Sequence, residues 1–303
     1  MSPSVTVRVP ASTANLGPGF DCLGLALDLY NTVSLSLASV TEVLLSGAGA
    51  DSLPAGPDNL VLRAAQRLAE HAGREVPGWK LVAHNEIPLA RGLGSSSSAI
   101  VGGLVAASQV LELDLPAPEL LDLAADLEGH PDNVAPALLG GLTVCAQDGP
   151  HTHCLRLPPP EGLYLAVAIP DCEVNTHAAR QLLPAEYSRA DAVYNLSHAA
   201  LTLAALIRER YDLLGTAMRD RLHQPYRLPL VPGTAAALEA ALEAGAHGAA
   251  LSGSGPTVVA FCSDRLAPVG SAMLNAFAQA GVQAELRWLE PSRGALDLVE
   301  VVS

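Results

Sequence analysis

The chain has almost no lysine. Of its 17 basic residues only Lys80 is a lysine, against 31 acidic residues and a formal charge of -14. No basic cluster is present that could displace counterions from a phosphate backbone, which excludes a nucleic-acid surface. The shortage also excludes two common phosphate-handling devices. A Walker-type loop needs Gly-Lys-Ser/Thr, and a protein kinase needs a strand lysine paired to a helix glutamate. Phosphate chemistry here must rest on backbone amides, hydroxyls, arginines and metal. Cysteine is equally sparse: Cys22, Cys145, Cys154, Cys172 and Cys262 are odd in number, scattered and free of any Cys-x-x-Cys. That pattern fits a reducing, cytoplasmic setting and no disulfide framework. His151-Thr-His153-Cys154 has no second ligand cluster beside it and is not read as a metal site. The N-terminal residues lack a charged-then-apolar leader, and no apolar run is long enough to span a bilayer, so no membrane partner is expected.

Half of the 303 residues are hydrophobic, enough to bury the cores of two modest domains. Strand patterns occur at Val5–Val9, Thr32–Leu37, Lys80–Ala83, Leu163–Ile169, Val258–Cys262 and Gln283–Trp288. Helical periodicity covers Asn59–His71, Ser95 to about Glu112, Pro118–Leu127, an amphipathic stretch Asp191–Arg210, Ala235–Ala244 and Leu266–Gly281. Three consecutive prolines in Leu157-Pro-Pro-Pro-Glu-Gly162 can continue neither a helix nor a central strand. They place a boundary between residues 1–156 and 157–303. The elements alternate without a doubly wound repeat, so the fold class is α+β in two domains.

Four polar, Gly/Pro-punctuated loops interrupt these elements, and such loops carry binding groups more often than structural ones. They are Ser12-Thr-Ala-Asn-Leu-Gly-Pro-Gly-Phe-Asp21, Pro88-Leu-Ala-Arg-Gly-Leu-Gly-Ser-Ser-Ser-Ser98, Glu128-Gly-His-Pro-Asp-Asn-Val-Ala-Pro136 and Leu251-Ser-Gly-Ser-Gly-Pro-Thr257. In the second, Gly92 and Gly94 let the backbone turn close to a ligand. Ser95, Ser96, Ser97 and Ser98 stand at the mouth of a helix whose free N–H groups and positive dipole end suit a polyphosphate. Glu128 closes a predicted helix at the end where the dipole disfavours acid, which points to a functional reason for it.

The four segments, in this order, resemble the GHMP kinase family from Val7 to about Cys262. The resemblance implies a two-domain fold, with an N-terminal nucleotide-binding domain like domain 2 of ribosomal protein S5 and a ferredoxin-like C-terminal domain. It implies transfer of phosphate from ATP to the side-chain hydroxyl of an amino-acid alcohol, L-homoserine; another small alcohol of the same family is the alternative. Nucleotide binding falls to Pro88, Leu89, Ala90, Arg91, Gly92, Leu93, Gly94 and Ser95 to Ser98. Magnesium falls to Ser96 and Glu128, a hydroxyl and a carboxylate suited to a hard cation. The substrate falls to Asn15, Asp21, His130, Asn133, Arg180 and Arg227. The carboxylate of Asp21 suits an ammonium group, and the two guanidinium groups suit a carboxylate. Asn133, Arg180 and Arg227 also stand at the reacting centre. Asn133 occupies the position at which some members carry aspartate, and an amide cannot accept a proton at neutral pH. No strong general base is therefore expected, and phosphoryl transfer proceeds by in-line positioning and charge neutralisation. The resemblance leaves room for a homodimer. A dinucleotide-binding reading of Gly92-x-Gly94 lacks the third glycine and an acidic residue ending the next strand. A non-catalytic regulator of the same fold would have lost Ser96 or Glu128.

Overall fold

Val5, Val7 and Val9 alternate with Thr6 and Arg8, and they open the larger of two sheets in a computed structural model that describes residues 4–265 and 267–302. Strand β1 (Ser4–Ala14) pairs antiparallel with β2 (Leu23–Leu37), placing Val5 opposite Leu35 and Val7 opposite Val33. Beyond β2 lie β4 (Trp79–Asn85), antiparallel, and β3 (Glu42–Gly47), parallel to β4. The hairpin of β5 (Leu142–Asp148) and β6 (His151–Leu157) joins the first residues of β2. Four helices cover one face: α1 (Leu60–His71), α2 (Ser95–Val110), α3 (Ala117–Glu128) and α4 (Pro131–Leu139). Their apolar residues meet Val7, Leu35 and Leu81 in one core. Each fully buried Leu or Val side chain there contributes about 1.5–3 kcal/mol. Asn59 caps α1 by accepting from Val61 N at 3.0 Å. Helix α2 is apolar on all sides and is accordingly buried nearly throughout.

The smaller sheet runs β10-β7-β9-β8, all antiparallel, from β7 (Tyr164–Pro170), β8 (Gly248–Leu251), β9 (Val258–Cys262) and β10 (Ala284–Leu289). Alternation sorts its side chains. Ala166, Ala168, Val258 and Ala260 face α9 (Thr234–Glu243) and α10 (Ala267–Gln279). Leu165, Val167, Val259 and Phe261 face the other way, against Leu16 and against Leu23, Leu25 and Leu27 of β2. Along the chain, β7 is followed by α5 (Thr176–Gln181), α6 (Arg189–Ile207) and two single turns, α7 (Leu214–Ala217) and α8 (Gln224–Arg227).

The α+β architecture agrees with the sequence reading, and the glycine loop between β4 and α2 belongs to no doubly wound sheet. Several elements differ from it. The last strand, β11 (Val299–Val302), returns to pair with β1, so the final residues close the first sheet rather than continue the second unit. Helix α6 is less amphipathic than expected, burying only Asn195, Thr202, Ala205 and Leu206. It is 19 residues long, and its most apolar 18-residue window has a mean hydropathy of 1.2, so it also meets the length and composition of a membrane-crossing helix, contrary to the expectation from sequence. Here polar Asn195 ties α6 to the carbonyl of Pro18 at 3.0 Å and to Asp220 at 2.9 Å. Leu266, where the sequence starts its last helix, lies outside the described residues. All five cysteines are free thiols, and Cys145 and Cys154 face each other across β5 and β6. Lys80 lies on the exposed side of β4, 3.7 Å from Glu42.

Candidate active site

The glycine loop is held in place by the fourth polar segment. Ser252 Oγ donates to Gly92 O at 2.6 Å, and Thr257 N donates to Arg91 O at 3.3 Å. Gly92 has a φ of +78°, and a Cβ there would lie 2.2 Å from Ser252 O, so both conformation and space require glycine. Gly94 (φ +72°) is the left-handed residue from which α2 starts, and a Cβ would meet Ser12 Oγ at 2.1 Å. The first α2 amides are thereby left facing a cleft of about 580 Å³. Ala90, Arg91, Gly92, Gly94, Ser95 and Ser96 line it. The other loop residues do not. Leu93 is 1% exposed in the core, Pro88 faces another hollow, and Leu89 lines an adjoining one. Ser98 is fully buried, donating to Ser95 O at 2.8 Å and accepting from Asn31 Nδ2 at 2.8 Å. Its hydroxyl is a structural tie of the first helical turn, not a group presented to nucleotide.

Glu128 ends α3, and Gly129 (φ +88°) turns the chain so that the carboxylate reaches the start of α2. Ser96 Oγ donates to its Oε2 at 2.7 Å and Ser97 Oγ to its Oε1 at 2.9 Å. Charge that the C-terminus of α3 disfavours is thus placed at the positive end of α2. The structure brings Ser96 and Glu128 together as a pair of hard oxygen donors beside the first amides of α2, a donor set that fits magnesium.

Across the cleft, Arg180 donates through Nη1 and Nη2 to both oxygens of Asp21, at 2.7 Å each. These two groups, assigned from sequence to opposite ends of a substrate, hold each other. Their side chains are 38% and 31% exposed, so the pair is worth only about 0–1 kcal/mol and can be exchanged for a ligand's charges. The bond to Asp21, outweighing burial, lifts the Arg180 pKa above its ordinary value. Arg227, at the end of α8, is 4% exposed, and its Nε has no partner among the described residues. Burial first, and then Arg180, push its pKa below the ordinary arginine value.

Helix α4 begins at Pro131 and brings Asp132 and Asn133 to the cleft in its first turn, with His130 just before it. His130 Nδ1 lies 2.6 Å from Asp132 Oδ1. Burial alone would lower the His130 pKa, but the bond to Asp132 and the charges of Asp132, Glu128 and Asp21 reverse this and raise it. Asp21, His130 and Asp132 offer ligand-type atoms within 4.8 Å of one another. Asn133 accepts from Ser12 Oγ at 2.8 Å through Oδ1 and donates through Nδ2 to Asp132 Oδ1 at 3.4 Å, which leaves its second N–H to donate. Asn15 is 2% exposed; its Nδ2 donates to Gly253 O at 3.0 Å and its Oδ1 accepts from Asp21 N at 3.0 Å. It lines the cleft, but its amide is engaged: the first bond joins the two halves of the site and the second shapes its own loop.

Sequence reasoning missed several participants. Phe20 lies under both guanidinium groups, 5.3 Å from Arg180 and 5.2 Å from Arg227. Thr176, Gly253 and Ser254 line the cleft as well, the last two from the fourth polar segment, and so does Asp132, the carboxylate that the sequence offers as the alternative to Glu128. A larger, mostly apolar hollow of about 1150 Å³ opens beside the glycine loop, lined by Leu45, Leu53, Pro54, Leu60, Leu89 and Val174 among others. It shares Ala90, Ser95, Ser96 and Thr176 with the cleft. Its residues come from five separate stretches of chain, and no local pattern marks them.

The model of the GHMP kinases N-terminal domain matches residues 59–141, and that of the GHMP kinases C-terminal domain matches residues 202–279. The chain is 50% identical over 285 residues to homoserine kinase of Moorella thermoacetica, covering 94% of this chain and 96% of that protein. It is 48% identical over 297 residues to homoserine kinase of Carboxydothermus hydrogenoformans, covering 97% of each. The crystal structure of homoserine kinase from Cytophaga hutchinsonii superposes with a TM-score of 0.88 at 32% identity, over 99% of this chain and 97% of that one. Mevalonate kinase of L. major in complex with R-mevalonate shares the fold alone, at a TM-score of 0.65, 16% identity and coverage of 95% and 96%. With its two-domain architecture, its cleft and its near full-length matches, the chain belongs to the GHMP kinase family, among the homoserine kinases.

Proposed function

We infer that this chain is a kinase that moves the γ-phosphoryl group of ATP to the side-chain hydroxyl of L-homoserine, giving O-phospho-L-homoserine for threonine biosynthesis. One observation carries the choice of acceptor. A buried guanidinium with a free Nε (Arg227), an exchangeable Asp21–Arg180 pair and the Asp132 carboxylate meet in one cleft beside a helix N-terminus. Such a cleft suits a zwitterion. Arg227 and Arg180 bind the substrate carboxylate, and Asp21, with Asp132 behind His130, receives its ammonium group. A neutral sugar or a hydroxy acid would leave the carboxylate side of this arrangement uncompensated.

The α2 amides and the glycine loop cradle the triphosphate, and the apolar hollow receives the nucleoside. Ser96 and Glu128 hold magnesium, which supplies charge neutralisation on the phosphate oxygens when bound. Asn133 donates through Nδ2 to the acceptor hydroxyl and orients a lone pair toward the phosphorus. Its Oδ1 is already engaged by Ser12, so it takes up no proton. Positioning and electrostatics therefore do the work that a base would share elsewhere. We further take the seven-stranded sheet with α1–α4, closed by β11, as the first domain, and the four-stranded sheet with α5–α10 as the second.

The test is ATP consumption with homoserine, mevalonate, galactose and shikimate offered in parallel. Turnover with homoserine far above the other three is expected. Comparable turnover with mevalonate or galactose would reassign the chain to another small-alcohol kinase of the family.

A further inference from the structure

The histidine His223, four residues before Arg227, is fully buried and absent from every role assigned so far. Each of its ring nitrogens has a defined neighbour. Nε2 lies 2.7 Å from Gly17 O and 3.5 Å from Asp220 Oδ2, two acceptors. Nδ1 lies 3.3 Å from Arg227 Nη1, a donor that has no other protonation state in a protein. Only one form of the ring satisfies all three: neutral, with hydrogen on Nε2 and a lone pair on Nδ1. Burial, the largest influence on this ring, favours the neutral form; the Asp220 carboxylate opposes it, the Arg227 charge adds to it, and the net direction is toward the neutral ring.

The contacts around this ring are built in depth. Asp220 has a fully buried side chain and accepts from the backbone amides of Leu222 (2.9 Å), His223 (3.0 Å) and Gln224 (2.6 Å) and from Asn195 Nδ2 (2.9 Å). This fixes the turn that leads into α8. Asn195 Nδ2 also donates to Pro18 O at 3.0 Å, next to the Gly17 carbonyl that His223 holds. The His223 ring stacks on Phe20 at 5.2 Å, and Phe20 in turn underlies Arg180 and Arg227. One ring thus joins the loop carrying Asn15, Phe20 and Asp21 to the arginine that faces it from α8.

We propose that His223 is a positioning residue for acceptor binding: as the Nε2–H tautomer, bonded to Gly17 O and to Arg227, it aims the Arg227 guanidinium and sets its distance from Asp21. The proposal rests on the reading of Arg227 as a carboxylate binder. Without His223, Arg227 keeps Gly253 O at 3.2 Å as its remaining hydrogen-bond partner, and its free Nε is no longer directed.

Two substitutions separate the two bonds. Glutamine places its amide nitrogen where Nε2 stands and keeps the Gly17 contact, but leaves Arg227 unheld. Asparagine places its amide oxygen where Nδ1 stands and keeps the Arg227 contact. His223→Gln is expected to raise the KM for homoserine about ten- to a hundredfold, the loss of one hydrogen bond to a charged group. The KM for ATP and kcat should stay within about twofold, and His223→Asn should recover most of the homoserine KM. In the Arg227→Ala background, His223→Gln should change the homoserine KM no further. An additive double variant, an ATP KM that rises as much as that for homoserine, or a His223→Asn as impaired as His223→Gln would overturn the proposal. Arg227→Ala with an unchanged homoserine KM would instead overturn the carboxylate assignment beneath it. A measurement on the unaltered protein stands apart from variant folding. The ¹⁵N spectrum of histidine-labelled enzyme, with His223 assigned from the signal lost in His223→Asn, should report a neutral Nε2–H ring at neutral pH. An Nδ1–H or doubly protonated ring there would also overturn the proposal.

Discussion

The amide of Asn133 shows how one hydrogen bond decides the chemistry a side chain can do. Ser12 Oγ donates to its Oδ1 at 2.8 Å, so the group turned to the cleft is an N–H donor. Aspartate at this position would introduce a charge close to Asp132, and it would face the incoming γ-phosphate with a carboxylate. Asn133→Asp is therefore expected to be slower than the parent by about tenfold or more, through a lost donor and added repulsion. Measured as kcat against pH with homoserine, the parent should show no limb belonging to a base at residue 133. A variant that outpaces the parent, with a new acidic limb, would mean that base catalysis had been limiting. Asp21 and Arg180 teach a related lesson at the same scale. The family resemblance assigns them to opposite ends of a substrate, yet in the structure each is the other's counter-ion.

Helix ends, more than helix bodies, build this site. The starts of α2 and α4 face the cleft, and the end of α3 delivers Glu128 to the first of them. Glu128→Gln keeps the shape and the acceptor oxygen but removes the charge. It is expected to depress turnover and to raise the magnesium concentration for half-maximal activity by about tenfold or more. An unchanged magnesium titration would move the role to Asp132, which lines the same cleft bonded to His130. The bodies of α1, α2, α3, α9 and α10 were legible because periodicity and caps are local: Asn59 predicts the start of α1, and the run after Ser95 predicts α2. The elements that periodicity missed were short or decided from afar. Helix α4 hides behind Pro131 and Pro136, α8 is a four-residue turn fixed by the buried Asp220, and β8 is four residues of Gly, Ala and Leu held by β9. The glycine loop was legible as a motif, but not which of its serines face the cleft. Ser96 is exposed while Ser98 points inward, because the helical turn rotates them to different sides.

At the scale of the whole molecule, the first and last described strands lie in the same sheet, and both halves line the cleft. β11 closes on β1, Asn15 binds Gly253 O, Ser252 binds Gly92 O and His223 binds Gly17 O, so the contacts that complete the site also cross between its two halves. Leu165, Val167 and Phe261 add an apolar seam shared with Leu23 and Leu25. A proline-rich boundary at residues 158–160 suggests two units that could melt apart; these contacts argue that they do not. The sequence supplies a reporter for each side, since its two tryptophans are Trp79 in β4 and Trp288 in β10. Trp79→Phe leaves a fluorophore in the small sheet, and Trp288→Phe leaves one in the large sheet. Each variant is unfolded in urea and followed both by its remaining tryptophan and by far-ultraviolet circular dichroism. Within each variant the two midpoints should coincide, as one cooperative transition requires. Saturating homoserine alone, with no ATP to consume it, should move both probes together, by about 2.7 kcal/mol at a hundredfold excess over Kd. A Trp288 transition that separates from the dichroism, or that ligand leaves in place while Trp79 shifts, would show that the smaller sheet folds independently and that the site is assembled only on docking.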